Sequence, residues 1–205
     1  MSGFIVAIPL KGFAIALLGL LAAYLLGSIP TGFLLAKAKG IDIREHGSGN
    51  IGATNVFRVI GKGAGITALA IDLLKGVLAV RLMMALISTA GAAATGAITP
   101  ELANALCALA ALMVVLGHSK SVWLGFAGGK SAATGLGVLL ALAWPVGLGV
   151  AAVFGSALAI SRTVSVGSIA AALSATIFML ALQQPVAYIL LAAAGGLYVV
   201  VRHRP

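Results

Sequence analysis

The sequence predicts an all-α integral membrane protein, a helical bundle of about seven transmembrane spans. Of its 205 residues, 61% are hydrophobic and only 8% are charged, whereas about 25% of the residues in a soluble domain are charged. The mean hydropathy is +1.18. The apolar stretches are long and continuous, which favours helices over the alternating strands of a membrane barrel. The pattern predicts one membrane domain over residues 1–205.

The apolar segments follow one another along the chain, separated by polar or turn-forming residues. Several are shorter than the roughly 20 residues that cross a bilayer, so loop residues must complete them as helical extensions. The first resembles a signal peptide, but it is about as long as a full span and more spans follow, which predicts a retained helix. The predicted spans are approximately 13–35, 64–87, 102–116, 132–143, 146–160, a sixth that ends near 183, and 186–201.

The first span is interrupted near its end by the sequence GSIPTG, residues 27–32. Proline removes a backbone donor and kinks a helix, and inside a membrane the freed carbonyl groups need partners within the protein. Ser28 and its neighbours therefore lie either at a packed or hydrated cavity or at a plain kink against another helix.

The second span carries charged residues at membrane depth. Asp72 and Lys75 are three residues apart and so share one helical face. Such charges usually pair or face a cavity and often mark function, so the pair is either part of a substrate site or a structural ion pair. Arg81 lies deeper in the same span, and it either snorkels to the membrane surface or meets a partner that the sequence does not identify.

Basic residues are distributed on one side of the predicted bundle. The formal net charge is +9, which would suggest nucleic acid in a soluble protein but here reflects the excess of Lys and Arg in cytoplasmic loops. Of the 13 Lys and Arg, all but Lys11, Lys75 and Arg81 lie in the polar segments that begin at 37, 118, 161 and 202. The N-terminus is therefore expected outside, with these segments and the C-terminus in the cytoplasm.

The loop after the first span holds the densest polar cluster, GSGNIGATN at residues 47–55. Glycine lets the backbone approach a ligand closely, and amides and hydroxyls can then converge on an anion such as phosphate. An ordinary surface loop of the same composition is the alternative. Together with the basic residues around it and the scarcity of carboxylates, the cluster favours a phosphate site.

The sequence lacks the residues that several other kinds of catalytic or binding site require. The sequence GGKS at 128–131 resembles a nucleotide-binding P-loop, but Leu124 stands where that motif requires glycine and no strand precedes it. The polar loops contain no cysteine, the only acids are Asp42, Glu45, Asp72 and Glu101, and the three histidines match no zinc motif. The H-x-x-x-x-D signature of many glycerolipid acyltransferases is also missing. We predict no metal and no cofactor, and catalysis by positioning and charge stabilisation.

Six motifs occur in order along the chain: GSIPTG (27–32), DIREHGSGNIGATN (42–55), DLLKG (72–76), GH (117–118), GFAGGK (125–130) and VSVGS (164–168). Together they closely resemble the bacterial acyl-phosphate:glycerol-3-phosphate acyltransferases over nearly the whole chain. The resemblance implies a seven-span inner-membrane enzyme that transfers a fatty acyl group from acyl phosphate to the sn-1 hydroxyl of glycerol 3-phosphate. The products are lysophosphatidic acid and inorganic phosphate, in the first acylation of bacterial phospholipid synthesis. An acyl-phosphate-producing enzyme is the expected protein partner.

The resemblance also implies the site residues. The expected catalytic residues are Ser48, Asn50, Thr54, Arg58, Lys130 and His203. The expected substrate-binding residues are Ser28, Arg44, Gly47, Gly49, Asn55, Asp72, Lys75, His118, Gly128, Gly129, Ser131, Ser165 and Ser168.

Two positions depart from the family pattern. The family usually reads GGKG, and Ser131 stands at the last glycine; a hydroxyl could add a ligand, but serine would be strained if this position needs a positive φ. The family also continues past its R-H, here Arg202 and His203, with an asparagine and a basic segment. Because the sequence ends at Pro205, we expect either a longer tail or a divergent one.

The mechanism that fits is direct attack of the glycerol 3-phosphate hydroxyl on acyl phosphate, with both phosphates held by basic residues. The proton passes either to a substrate phosphate or to His118. The main alternative is a transporter of phosphate or an organic anion. Against it, the polar motifs cluster on one side of the membrane and the sequence has no inverted repeat.

Overall fold

The computed structural model describes residues 10–93 and 98–202 of the chain. Within these ranges the protein is helical, which confirms the predicted fold class, and short 3₁₀ turns occur at Ile43–Glu45 and Val122–Leu124. The α-helices are α1 (Leu10–Ser28), α2 (Thr31–Lys37), α3 (Ala53–Val59), α4 (Lys62–Ala93), α5 (Pro100–Ser119), α6 (Ala132–Leu142), α7 (Trp144–Ser161), α8 (Val164–Ala181) and α9 (Val186–Arg202).

Six of the seven predicted spans correspond to one helix each, and the first comprises α1 and α2. Four segments are long and apolar enough to cross a membrane, namely Gly12–Lys37, Pro100–Ser119, Trp144–Ser161 and Val164–Ala181. Helices α6 and α9 are apolar but shorter, and the 32-residue α4 contains the charged residues of the second span. The short α2 and α3, of 7 residues each, flank the first polar loop.

Two connections are shorter than the sequence indicated. Helix α8 begins at Val164, so only Arg162 and Thr163 separate it from α7, and Ser165 and Ser168 lie within the helix. Helix α4 runs on to Ala93 because small polar residues are tolerated at its end. The Ser88 hydroxyl, for example, donates to the Ala85 carbonyl at 2.8 Å, as is usual for serine inside a helix.

The seven long helices pack as a ring. In order around it, α1 packs on α4, α4 on α6, α6 on α7, α7 on α8, α8 on α9, α9 on α5, and α5 on α1. Helix α5 also packs on α4 and α6, so it lies on the inner side of the ring. The core of small and aliphatic side chains includes Ala110, Val114 and Met179, all fully buried.

Glycines bring neighbouring helices into backbone contact, as the high glycine content predicts. A Cβ at Gly27 of α1 would collide with the Val114 carbonyl of α5, and one at Gly117 of α5 with the Tyr24 carbonyl of α1. A Cβ at Gly76 of α4 would likewise collide with the Thr134 carbonyl of α6. Such close approach suits helices in lipid, where association depends on packing.

The interruption of the first span is packed rather than open. Helix α1 ends at Ser28 and α2 restarts at Thr31, with Pro30 between them. The carbonyl oxygen of Ile29 accepts a hydrogen bond from Lys75 Nζ at 2.9 Å, and that of Ser28 accepts one from Ser121 Oγ at 2.6 Å. The carbonyl groups at the break therefore have partners from α4 and from the loop after α5, which is what a membrane interior requires.

Candidate functional site

The three polar segments meet at one end of the bundle around a cleft of about 340 Å³. We call it the basic cleft. Its described lining contains three cations, several hydroxyl groups and an amide, with no carboxylate or histidine among them. The lining residues are Ser48, Asn50, Thr54, Arg58, Lys130, Arg162, Thr163, Val164 and Ser165.

One wall of the cleft is the first polar loop together with α3, which we call the loop–α3 wall (residues 48–58). The buried Asn55 holds this loop in shape. Its Oδ1 accepts from the Ser48 N–H at 3.0 Å, and its Nδ2 donates to the carbonyl groups of His46 at 3.0 Å and Asn50 at 2.9 Å. Because its amide is used by the loop backbone, Asn55 supports the neighbouring Ser48 and Asn50 instead of lining the cleft itself.

Two glycines let the loop turn around this amide. Gly47 and Gly49 have φ values of +61° and +68°, a region that other residues rarely adopt. A Cβ at Gly47 would in addition collide with Asn55 Oδ1. These glycines, predicted to bind substrate, are explained by the backbone turn and by contact with Asn55.

Helix α3 presents the polar side chains that follow the loop. Thr54 and Arg58 are four residues apart on α3, so they share a face, and both are exposed and line the cleft. The loop and the helix therefore bring Ser48, Asn50, Thr54 and Arg58 to one surface. Four of the six residues predicted to be catalytic thus lie together.

The second wall carries Lys130, and the glycines before it pack against the end of α5. The Gly129 N–H donates to the His118 carbonyl at 3.0 Å. A Cβ at Gly129 would collide with His118 Nε2, and one at Gly128 with the His118 carbonyl. The resemblance implies that these glycines bind substrate; in the structure the group that they approach is His118.

Ser131 occupies the position where the family has glycine, and its φ is +59°. The strain expected of serine there is therefore present. Its hydroxyl compensates, because it donates to the Val115 carbonyl at 3.0 Å and lies 2.5 Å from the hydroxyl of Ser119. Ser131 is buried and its hydrogen bonds stabilise the loop, whereas Lys130 beside it lines the cleft.

The third wall is the junction of α7 and α8, and most of it was missed from the sequence. Ser165 was predicted, whereas Arg162, Thr163 and Val164 were not. Arg162 follows α7 with a φ of +54°, in the left-handed region. The available signal was charge, because Arg162 is the only Lys or Arg of the third polar segment.

Arg44 does not line the cleft. Its guanidinium binds both carboxylate oxygens of Asp42, with the shortest distance 2.6 Å, and lies 4.9 Å from the centre of the Phe33 ring. The hydrogen bonds from Arg44 lower the pKa of Asp42 to about 2. The pair thus stays ionised at any physiological pH and fixes the start of the loop.

Four further predicted residues lie inside the bundle. Ser28, Asp72, Lys75 and His118 are all at most 5% exposed. Asp72 pairs with Lys75 at 2.9 Å, and His118 Nδ1 lies 3.7 Å from the same Asp72 oxygen. These residues form a polar cluster behind the cleft, and none of them lines it.

Two predicted residues remain. Ser168 lies one helical turn beyond Ser165 on α8, but it is buried and does not line the cleft. His203 lies outside the described residues.

The chain matches one family of known proteins along most of its length. The profile of the family described as glycerol-3-phosphate acyltransferase matches residues 17–205. A glycerol-3-phosphate acyltransferase of Nostoc sp. (strain PCC 7120) is 52% identical over 202 residues, which cover 94% of this chain and 88% of that protein. One of Synechococcus elongatus is 50% identical over 192 residues, which cover 93% and 87%.

Solved structures share the fold. The crystal structure of PlsY (YgiH), an integral membrane glycerol 3-phosphate acyltransferase, in its glycerol 3-phosphate form has a TM-score of 0.80 and 37% sequence identity. The similarity covers 92% of this chain and 88% of that one. The lysophosphatidic acid form has a TM-score of 0.78 and 36% identity, with the same coverage.

Proposed function

Because the chain belongs to the glycerol-3-phosphate acyltransferase family, we propose that it takes its acyl group from acyl phosphate. It transfers this group to the sn-1 hydroxyl of glycerol 3-phosphate and releases inorganic phosphate. The product, lysophosphatidic acid, is named in one of the similar structures, and glycerol 3-phosphate is named in the other. The reaction is the first acylation of phospholipid synthesis in the bacterial inner membrane.

The observation that carries this proposal is the composition of the basic cleft. Arg58, Lys130 and Arg162 line one cavity from three different segments, and none of them has a carboxylate partner in the described lining. Two substrates that each carry a phosphate would have a combined charge of about −4, and the three cations can neutralise most of it. An acyl-CoA donor would not place a phosphate next to the reacting carbonyl, so a cleft with three cations and no carboxylate in its described lining favours acyl phosphate.

Backbone groups of α8 add to the positive potential. The first N–H groups of a helix have no partner within it, and the helix dipole adds partial positive charge at this end. Thr163 precedes α8 and its side chain makes no capping hydrogen bond. Since Thr163, Val164 and Ser165 line the cleft, these N–H groups are available to a phosphate there.

The reaction requires no covalent enzyme intermediate. The sn-1 hydroxyl oxygen attacks the acyl carbonyl carbon, the bond between that carbon and the phosphate oxygen breaks, and phosphate leaves with its electron pair. Lys130 and Arg58 stabilise the negative charge on the departing phosphate, and the hydroxyls of Ser48 and Thr54 stabilise the carbonyl oxygen.

The hydroxyl proton leaves with the phosphate. His118 was one candidate base, but it is buried behind Gly129 and does not line the cleft. The described lining offers no carboxylate or imidazole, whereas the phosphate group of the donor has negatively charged oxygens beside the point of attack and takes the proton as it leaves. We propose His203 as a further catalytic residue.

The location of the cleft supports an enzyme rather than a transporter. Its polar residues all lie at one end of the bundle, where the loops and helix ends meet, and do not follow a path along the helices. We place this end in the cytoplasm, the N-terminus outside, and the acyl chain between helices in the bilayer. Acyl phosphate then arrives from a partner enzyme that makes it.

The test is an assay of the purified protein in detergent with a fatty acyl phosphate and glycerol 3-phosphate. Phosphate release and lysophosphatidic acid, identified by mass spectrometry, should appear only when both substrates are present. Acyl-CoA should give no product under the same conditions. Equal rates with acyl-CoA would overturn the proposed donor, and phosphate release that does not need glycerol 3-phosphate would overturn the proposed acceptor.

A further inference from the structure

A buried ion pair holds the interrupted first helix against α4. Lys75 Nζ lies 2.9 Å from Asp72 Oδ1 and donates to the Ile29 carbonyl at 2.9 Å. Both side chains are at most 3% exposed. The ammonium therefore joins a carboxylate of its own helix to the Ile29 carbonyl at the break between α1 and α2.

The same carboxylate faces the support of the Lys130 loop. His118 Nδ1 lies 3.7 Å from Asp72 Oδ1. The carbonyl of His118 accepts from the Gly129 N–H at 3.0 Å, and its ring fills the space beside the Gly129 Cα. His118 thus lies between Asp72 and Gly129, the residue directly before Lys130.

On its other side, the interrupted helix contacts the loop–α3 wall. Gly32, at the start of α2, lies so close to this wall that a Cβ would collide with the Ile51 carbonyl and the Val56 side chain. Ile51 follows Asn50 directly, and Val56 lies between Thr54 and Arg58. The contact chain therefore runs from Ile51 through Gly32 and Ile29 to Lys75, Asp72, His118 and Gly129.

We propose that Asp72, Lys75 and His118 are positioning residues that set the distance between the loop–α3 wall and Lys130. This inference rests on the proposed function, in which Arg58 of the loop–α3 wall and Lys130 of the facing wall act together on the departing phosphate. None of the three residues touches substrate. They act through Ile29 and Gly32 on one wall, and through Gly129 on the other.

The cost of burying charge is the reason to expect such a role. A buried ion pair often stabilises a protein no more than well-packed apolar residues would. Its fixed geometry is what it contributes here, because the ammonium is held between the Asp72 carboxylate and the Ile29 carbonyl, whereas apolar side chains could pack in several arrangements. Reaction between two bound molecules is sensitive to their separation, and an error of about 1 Å can lower the rate on the order of a hundredfold.

The test is the neutral double variant Asp72→Asn with Lys75→Gln, which leaves no unpaired buried charge. We expect kcat to fall at least tenfold, because the walls lose their spacing. The Kd for glycerol 3-phosphate, measured by calorimetry without acyl phosphate, should stay within threefold of the wild-type value, because each wall keeps its substrate-binding residues. Tyr188→Phe is the control: it removes another buried contact, to Asn104 at 3.0 Å between α9 and α5, and should change neither value.

Other outcomes overturn the proposal. A tenfold weaker Kd would make Asp72 or Lys75 a direct ligand, and an unchanged kcat and Kd, even with a lower Tm, would make the pair structural only. If the double variant is not monodisperse, Lys75→Arg is judged by the same two values, since it keeps both charges and alters the reach to Ile29. An inactive wild type, or a fully active Lys130→Ala variant, would instead refute the proposed function itself.

Discussion

The side-chain oxygen of Asn55 accepts a hydrogen bond from the backbone N–H of Ser48 at 3.0 Å, while its nitrogen donates to the carbonyl of Asn50 at 2.9 Å. One buried amide thus fixes both residues that the loop presents to the cleft. Asn55 resembles a ligand in the sequence, since it lies among the glycines and hydroxyls of a phosphate-like loop. In the structure it determines the loop conformation.

Replacing Asn55 with leucine, which has a similar size, should loosen this loop without unfolding the bundle. Each lost hydrogen bond is worth about 1 kcal/mol, so two or three of them should raise hydrogen exchange of the Ser48 and Gly49 amides by roughly 30-fold or more. Turnover should fall by more than tenfold. Asn104→Leu, which removes an amide between α5 and α9, is the control and should leave loop exchange unchanged. Unchanged exchange in Asn55→Leu would show that the glycines alone hold the loop.

Ser131 should tolerate glycine better than alanine. Its φ of +59° costs an L-residue roughly 1–2 kcal/mol, and both substitutions lose its hydrogen bonds, but only glycine removes the strain. Ser131→Gly should therefore have a Tm a few degrees above that of Ser131→Ala. At Ser88, inside α4, the order should be reversed, because glycine in a helix costs about 1 kcal/mol relative to alanine. The same order at both positions would rule out backbone strain at Ser131.

Turnover should depend on both the charge and the shape of the Lys130 side chain. Lys130→Ala and Lys130→Arg should insert and fold, yet lose about a hundredfold in turnover, which corresponds to a charge-assisted contact of ~3 kcal/mol. Arginine is not equivalent at a tight phosphate site, because its donors are planar and bulkier. Lys39→Ala serves as a control, since Lys39 is exposed and does not line the cleft. Near-normal turnover of Lys130→Arg at low glycerol 3-phosphate would show that Lys130 supplies only a positive charge at the membrane surface.

Arg162 offers a way to separate binding from stability. Because it follows α7 with a φ of +54°, glycine suits the position, and Arg162→Gly should keep or raise the Tm. The KM for at least one phosphate substrate should nevertheless rise about tenfold or more, as expected when a charged hydrogen bond is lost. Gln183→Gly is a matched control, with a φ of +49° far from the cleft. If both variants keep a normal KM, Arg162 binds no substrate.

The topology can be tested by labelling in a Cys107→Ala background. Cysteines introduced at Lys39, Lys120 and Arg162 should react with a membrane-impermeant reagent only from the cytoplasm, and one at Thr99 only from outside. The physical reason is the excess of basic residues on one side. Lys39 and Arg162 labelling from opposite sides would contradict the structure, because the segments that carry them meet at the basic cleft.

The sequence by itself determined the architecture and predicted the chemistry of the site. Continuous apolar stretches predict the number and order of the long helices, since the bilayer requires helices of this length. Pro30 predicts the break between α1 and α2 because proline acts on its own backbone. The inventory of glycine, hydroxyl and basic residues predicts a phosphate site. These are local or compositional properties, and the chain carries them before it folds.

Only the tertiary structure decided which polar residues reach the cleft. Asp72 and Lys75 share a helical face, which their spacing shows, but that face is covered by Ile29 and His118. Arg162 lines the cleft because α7 ends beside Lys130, and no local pattern distinguishes it from an ordinary basic loop residue. Spacing along a helix fixes which residues share a face. The neighbour that covers this face is set by the packing of distant segments, and this packing separates the residues of the cleft from those that support it.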